Sequence, residues 1–157
     1  MTLTTADLYD QHGEKLRVLP PVFHDFGGRP RFSGEVVTAR CFEDNSRVKE
    51  ILDTPGAGKV LVVDGAASMR CALLGDLIAG QAVRHGWAGV VIYGCVRDRV
   101  ALAALSLGVK ALGVIPRKSV RRGAGDSQIA LDIGGIACRP GDRLVADEDG
   151  IVLMDGS

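Results

Sequence analysis

The middle of the chain carries the clearest hydrophobic pattern. Residues 59–65 (KVLVVDG) and 89–94 (GVVIYG) are short, nearly continuous apolar runs, as expected for strands that are buried on both faces of a sheet. Between them, the pattern from about Leu74 to His85 favours a helix with Gly86 just beyond its end. Two buried strands joined by a helix form a right-handed βαβ crossover. A parallel sheet is therefore predicted at the centre of the molecule.

The N-terminal part alternates polar turns with short periodic segments. Thr5 is a plausible helix cap, Gly13 a plausible helix end, and the stretch from Pro20 to Pro30 has the Pro and Gly content of a loop. The elements predicted here are a short helix from Thr5 to Gly13, a strand over 34–42, and a helix capped by Asn45 or Ser46 that runs through Leu52.

The C-terminal part is rich in short strands. After a predicted helix over about 99–105 and a strand over 109–115, apolar stretches alternate with Gly- and Pro-containing turns, which is typical of a β-meander. The predicted strands are 128–133, 136–139, 143–146 and 151–154. The sequence shows no internal repeat and no domain boundary. Residues 1–157 are therefore predicted to form a single α/β domain with a mixed sheet and a β-rich C-terminal part.

Composition narrows the possible functions. The 157 residues are 46% hydrophobic, which suits a chain that buries a core and excludes a disordered one. Nineteen Lys and Arg balance 19 Asp and Glu, and aromatic residues make up 4%, so direct nucleic-acid binding is not expected. No apolar run reaches the roughly 20 residues of a membrane span, and no secretory signal is visible at the N-terminus. A cytoplasmic protein is expected.

The four cysteines give no metal-binding pattern. Cys41, Cys71, Cys95 and Cys138 are far apart, and none is close in sequence to a histidine. A zinc site is therefore not predicted, and the thiols are expected to be reduced and buried. The alternative for Cys95, a nucleophile, has no base partner in the nearby sequence.

Two segments combine polar side chains with a useful position. Gly75–Ile78 lies at the start of the central helix and Arg97-Asp98 follows the next strand, so both should lie at the carboxyl ends of the strands, where open α/β sheets bind ligands. Free amides at a helix start bind carboxylates, and Gly75 permits close approach. The Asp98 carboxylate suits Mg²⁺ or Mn²⁺, Asp76 can hold a metal-bound water, and Arg97 can stabilise charge on a substrate oxygen.

The same residues also have an ordinary structural interpretation. Asp76 in a first helical turn compensates the helix dipole, and Arg97-Asp98 can be a solvated ion pair in a loop. Residue types and spacing alone leave both interpretations open.

Several separated motifs resemble the RraA-like family, which contains the regulator of ribonuclease activity A and the class II 4-hydroxy-4-methyl-2-oxoglutarate aldolases. The resemblance runs from about Ala6 to Val152. It is carried by residues 26–29 (FGGR), 40–45 (RCFEDN), 62–65 (VVDG) and 89–98 (GVVIYGCVRD).

The resemblance implies roles for specific residues. The aldolase motif, an aspartate followed after 20 residues by Arg-Asp, matches Asp76, Arg97 and Asp98. It implies that Asp98 binds a divalent metal, Mg²⁺ or Mn²⁺, that Asp76 contacts metal-bound water, and that Arg97 stabilises an enolate. The loop Gly75, Asp76, Leu77 and Ile78 would bind the substrate carboxylate. A swivelling β/β/α fold and a homotrimer with sites near the subunit boundaries are also implied.

Two functions follow from this family and stay open. One is metal-dependent cleavage of a 4-hydroxy-2-oxo acid to pyruvate, with oxaloacetate decarboxylation through the same enolate. The other is a non-catalytic regulator that binds a ribonuclease E-type endonuclease. The basic stretch 117–122 (RKSVRR) is expected to be a solvated loop, or else a contact for an acidic partner. A methyltransferase is not favoured, because residues 64–68 lack a glycine-rich cofactor cradle.

Overall fold

Short strands rich in valine and other apolar residues make up the centre of the molecule. The computed structural model describes residues 3–156. Within them, the α-helices are α1 (Thr5–His12), α2 (Ser46–Leu52), α3 (Asp76–Arg84) and α4 (Arg99–Ala103). The strands are β1 (Arg17–Val18), β2 (His24–Asp25), β3 (Phe32–Arg40), β4 (Lys59–Asp64), β5 (Ala72–Leu74), β6 (Gly89–Val96), β7 (Gly108–Val114), β8 (Asp126–Ser127), β9 (Leu131–Ile133), β10 (Ile136–Cys138), β11 (Arg143–Asp147) and β12 (Gly150–Met154).

The main sheet is mixed, as predicted. Its strand order is β1-β12-β11-β3-β4-β6-β7-β2, with β5 paired to β6 and β8 paired to β3. The central strands β3, β4, β6 and β7 are parallel, and β1, β2, β11 and β12 add to them in antiparallel fashion. The predicted crossover is confirmed, because β4 and β6 are parallel neighbours connected through α3.

Two hydrophobic cores cover the two faces of the central strands. In β4, Leu61 and Val63 belong to a core shared with α2 and α3, whereas Val60 and Val62 face a second core formed with the C-terminal strands. This alternation explains why β4 is apolar at nearly every position. None of the helices in the described part of the chain is long and apolar enough to cross a membrane.

Around the predicted central helix the structure differs from the prediction. Residues 72–74 form β5, and α3 begins only at Asp76. The apolar run that ends at Leu74 fits a strand as well as a helix, and pairing with Cys95 and Val96 decides the outcome. Because of this pairing, β6 continues to Val96 rather than ending at Gly94.

The predicted C-terminal β-meander is wrong, because these strands do not all pair with their neighbours in sequence. The strands β9 and β10 form a separate two-stranded hairpin, whereas β11 pairs with β12 and with distant β3. Local turn signals cannot reveal such a long-range partner. Smaller differences concern element ends: the cap of α1 is Thr4 rather than Thr5, β3 spans Phe32–Arg40, α4 ends at Ala103, and β2 lies within the expected 20–30 loop.

Candidate active site

The two chemistry-bearing segments meet at one edge of the sheet. The first follows β5 and the second follows β6, and these strands are parallel neighbours, so their carboxyl ends lie side by side. The backbone N–H of Arg97 donates to the carbonyl of Leu74 at 2.9 Å, which joins the two connections directly. The structure therefore brings together Gly75, Asp76, Arg97 and Asp98, as the sequence predicts.

The carboxylate of Asp98 caps the start of α3. Its Oδ2 accepts the backbone N–H of Asp76 at 3.0 Å, while the residue at the cap position, Gly75, has no side chain to do so. A Cβ at position 75 would lie 2.7 Å from that same oxygen. The anion that approaches Gly75 is therefore Asp98 of the chain itself, and the Asp76 amide predicted to bind substrate is engaged by it.

Asp98 adopts an uncommon backbone conformation. Its φ of 62° and ψ of 46° lie in the left-handed region, which aspartate tolerates better than most residues. This conformation turns the chain sharply between the end of β6 and the start of α4, so that the carboxylate faces back toward α3.

The Arg97 side chain lies between Asp98 and the segment that contains Pro116. Its Nε is 4.0 Å from Asp98 Oδ2, and its Nη1 donates to the carbonyl of Pro116 at 3.4 Å. The side chain is 41% exposed, and these contacts leave several of its five N–H donors for a ligand. An anchored but accessible guanidinium is suited to stabilise an oxyanion.

Leu77 and Ile78 differ in the exposure of their side chains, but both present a free backbone N–H group at the start of α3. The Leu77 side chain is 82% exposed, whereas that of Ile78 is buried in the core below α3. Their N–H groups belong to the first helical turn, where amides lack intrahelical acceptors. These amides are therefore the ones available to a substrate carboxylate.

The cleft is also lined by residues outside the two predicted segments. It measures about 90 Å³, and Asn45, Lys118, Ser119 and Arg121 line it together with the predicted residues. A topological signal existed: β7 is the parallel neighbour of β6, so the segment after β7 returns to the same sheet edge. The basic stretch is largely exposed, as expected, but it also forms one wall of the cleft.

The oxygen donors in the cleft fit a hard divalent cation. Oδ2 of Asp98 is engaged by Asp76, and Oδ1 accepts no hydrogen bond from residues 3–156. No group of three or more His, Cys, Asp or Glu side chains that could hold a metal occurs in that range. Mg²⁺ and Mn²⁺ bind through one or two carboxylates and complete their shells with water or substrate, whereas structural zinc requires four protein ligands.

The cysteines near the site are poor nucleophiles. All four cysteines are buried and free, as expected. Burial raises the pKa of Cys95, and its Sγ lies 3.5 Å from the sulfur of Met69. The Cys95 thiol is therefore neutral and packed against another sulfur, which favours the structural interpretation.

Sequence comparison finds close relatives with full-length coverage. A protein of Alkalilimnicola ehrlichii, provisionally named 4-hydroxy-4-methyl-2-oxoglutarate aldolase, is 55% identical over 157 residues, covering 100% of this chain and 98% of its own. A protein of Laribacter hongkongensis with the same provisional name is 53% identical over 152 residues, covering 97% of this chain and 96% of its own.

Solved structures agree with the fold. The RNA-processing inhibitor RraA from Thermus thermophilus superimposes with a TM-score of 0.96 at 46% identity, covering 99% of this chain and 94% of that one. A Geobacillus kaustophilus structure described as an S-adenosylmethionine:2-dimethylmenaquinone methyltransferase gives 0.96 at 44% identity, covering 99% and 96%. The sequence profile of the RraA-like family, described as Aldolase/RraA, matches residues 5–153. The chain therefore belongs to the RraA-like family.

Proposed function

We propose that this protein is a divalent-metal-dependent class II aldolase that cleaves 4-hydroxy-4-methyl-2-oxoglutarate and related 4-hydroxy-2-oxo acids to pyruvate. The observation that carries the proposal is the contact between Asp98 Oδ2 and the Asp76 amide at 3.0 Å. It places a carboxylate, a guanidinium and the free amides of a helix start around one small cleft. The provisional aldolase names of relatives at 53–55% identity support the same activity.

Each side chain has a distinct task in this reaction. The amides of Leu77 and Ile78 orient the substrate carboxylate at the start of α3. Arg97 donates to the 2-oxo oxygen and stabilises the negative charge that develops there when the C3–C4 bond breaks. Asp76 is an exposed residue of the cleft lining, where it can hold a water that takes the proton of the C4 hydroxyl as the C3–C4 bond breaks.

Asp98 is the proposed metal ligand, and a bound Mg²⁺ or Mn²⁺ supplies Lewis-acid polarisation of the 2-oxo group. Decarboxylation of oxaloacetate requires stabilisation of the same developing charge by Arg97. We therefore expect one set of residues to serve both reactions.

The test is pyruvate release from 4-hydroxy-4-methyl-2-oxoglutarate and from oxaloacetate with added Mg²⁺ or Mn²⁺. Asp98→Ala should lower kcat/KM by about 10³-fold or more, since it removes the proposed metal ligand, and EDTA should abolish wild-type activity. Asp10→Ala is the matched control, because Asp10 is an exposed carboxylate of α1 remote from the cleft. Undiminished turnover by Asp98→Ala would remove Asp98 from the mechanism.

A second candidate function is regulation of a ribonuclease E-type endonuclease by direct binding. The likeness to RraA from Thermus thermophilus, with a TM-score of 0.96, favours it. A pull-down with such an endonuclease distinguishes the two functions when it is paired with the pyruvate assay. Binding by both wild type and Asp98→Ala, without pyruvate release by either, would favour regulation.

A homotrimer in the cytoplasm stays a prediction from the family resemblance. Two strongly exposed apolar side chains lie close in sequence to the site residues: Leu77 at the start of α3 is 82% exposed and Val100 in α4 is 88% exposed. Exposed apolar groups next to a site are typical of subunit boundaries. Sedimentation of the purified protein measures the oligomeric state directly.

A further inference from the structure

The segment 116–124, here called the basic arm, is held against the site by two sets of hydrogen bonds. Its first half pairs with neighbouring backbone: the Ala72 amide donates to Arg117 at 2.8 Å, and the Val120 amide donates to Glu43 at 3.1 Å. Its second half depends on a side chain, the carboxylate of Asp44.

Asp44 is a buried carboxylate whose oxygens are both used. Its Oδ2 accepts the backbone N–H groups of Arg122 at 2.8 Å and Ala124 at 3.4 Å. Its Oδ1 accepts the amide of Ser46 at 2.9 Å and the hydroxyl of Ser46 at 2.6 Å. That serine in turn accepts the Gly123 amide at 2.8 Å. Three consecutive arm amides, 122–124, thus depend on Asp44 and its partner Ser46.

The basic arm carries two cations to the wall of the cleft. Lys118 and Arg121 line it together with Asp76 and Asp98. Arg121 is fixed through its Nε, which donates to Asn45 Oδ1 at 3.1 Å. Neither cation forms an ion pair with a carboxylate of residues 3–156. With Arg97, the cleft holds three cations against two carboxylates, an imbalance that suits an anionic ligand.

We propose that Asp44 is a positioning residue that fixes the second half of the basic arm so that Arg121, beside Lys118, binds the second carboxylate of a dicarboxylic substrate. This inference rests on the proposed aldolase function. A 4-hydroxy-2-oxo acid with a carboxylate on C4 has its two carboxylates three carbons apart. One is placed at the start of α3, and the other then faces the basic arm. Substrates without the second carboxylate should bind no more tightly because of the basic arm.

The informative variant is Asp44→Asn. An amide keeps the volume but replaces one acceptor oxygen with an N–H₂ group. That group must face either the amides of Arg122 and Ala124 or the amide and hydroxyl of Ser46, so at least one backbone N–H loses its acceptor in either orientation. We expect the amides of 122–124 to exchange with deuterium at least 10-fold faster. The KM for 4-hydroxy-4-methyl-2-oxoglutarate should rise about 10-fold, with kcat changed by less than about 3-fold. For 4-hydroxy-2-oxopentanoate, which lacks the second carboxylate, KM should stay within 2-fold.

Two further variants separate positioning from general destabilisation. Lys118→Gln removes one cation directly, so it should raise the KM for the dicarboxylate while arm exchange stays slow. The double variant should show a KM no higher than that of the weaker-binding single variant, because both act through one wall. Asp53→Asn is the charge-matched control: its side chain is 61% exposed and pairs with His85, and it should alter neither readout.

The outcomes distinguish this proposal from the one on which it rests. Unchanged arm exchange, or an equal rise in KM for both substrates in Asp44→Asn, would overturn the positioning role while the aldolase stands. Wild-type protein that releases no pyruvate from either substrate would overturn both.

Discussion

The two ends of the central parallel strands use glycine in opposite ways. At the amino ends of β6 and β7, the ring of Phe32 occupies the space above Gly89 and Gly108, and a Cβ at either position would collide with it. At the carboxyl end of β5, the space above Gly75 holds the carboxylate of Asp98. One end thus buries an aromatic ring in the core, and the other brings a charged group to the candidate site.

Cavity size does not indicate which end carries the function. The balance of paired and unpaired charged side chains is the better guide. The larger cavity, about 400 Å³, lies beside Phe32. Two of its three charged side chains have partners: Arg31 pairs with Glu148 at 2.9 Å, and Asp147 accepts both the amide and the hydroxyl of Thr5. The 90 Å³ cleft keeps Lys118 and part of Asp98 available, and it is the end at which function should be sensitive to substitution.

Gly75→Ala should have the largest effect, and it should lower the activity rather than the stability. The added Cβ lies 2.7 Å from Asp98 Oδ2, so the carboxylate must move away from the Asp76 amide. We expect kcat/KM for pyruvate release to fall about 100-fold, equivalent to about 2.7 kcal/mol. The free energy of unfolding, measured in urea, should change much less. A variant with wild-type kcat/KM would show that this contact is dispensable.

Gly89→Ala should act at the other end and on stability. Its Cβ displaces the buried Phe32 ring, and overpacking of this kind costs about 1–3 kcal/mol in the free energy of unfolding. The kcat/KM per folded molecule should be unaffected. Adding Phe32→Leu should recover part of the loss, because the smaller side chain makes room. A fall in kcat/KM as large as that of Gly75→Ala would mean that the two ends are coupled.

Acid should weaken the carboxyl-end region through Asp44. Although burial opposes ionisation, hydrogen bonds from Ser46 and from the amides of Arg122 and Ala124 lower the pKa of Asp44 to about 2. The ionised Asp44 carboxylate contributes fully to the free energy of unfolding above about pH 4, near the pKa of an aspartate in the unfolded chain. This contribution is lost as the pH falls toward about 2, the pKa in the folded protein. The loss is about 2 kcal/mol.

The measurement is the free energy of unfolding at pH 5 and at pH 2.5. Wild type should lose more stability between these two values than Asp44→Asn, which has no carboxyl group to protonate at that position. Equal losses would mean that the hydrogen bonds of Asp44 do not lower its pKa.

Local sequence patterns predict the centre of the fold well because its signals are local. The apolar strands around Val62 and Val91 and the turn at Gly86 need no knowledge of distant partners. The pairing of β11 with β3 joins residues more than 100 positions apart, and no turn signal encodes it. The strand nature of Leu74 likewise depends on its partner Val96.

The candidate site shows the same division. Asp76, Arg97 and Asp98 could be placed together because each follows or begins an element of one crossover. Lys118 and Arg121 follow β7, whose place beside β6 becomes informative only when the sheet order is known. The sequence also could not predict that Asp98 caps α3, because this contact depends on the left-handed backbone conformation of Asp98.

That backbone at Asp98 has an evolutionary consequence. Glycine and asparagine occupy a φ of 62° at least as easily as aspartate. A single nucleotide change to either residue would remove the carboxylate proposed here as the metal ligand and leave the turn between β6 and α4 unstrained. The proposed activity can therefore be lost in one step while the scaffold persists, which would leave a protein that only binds.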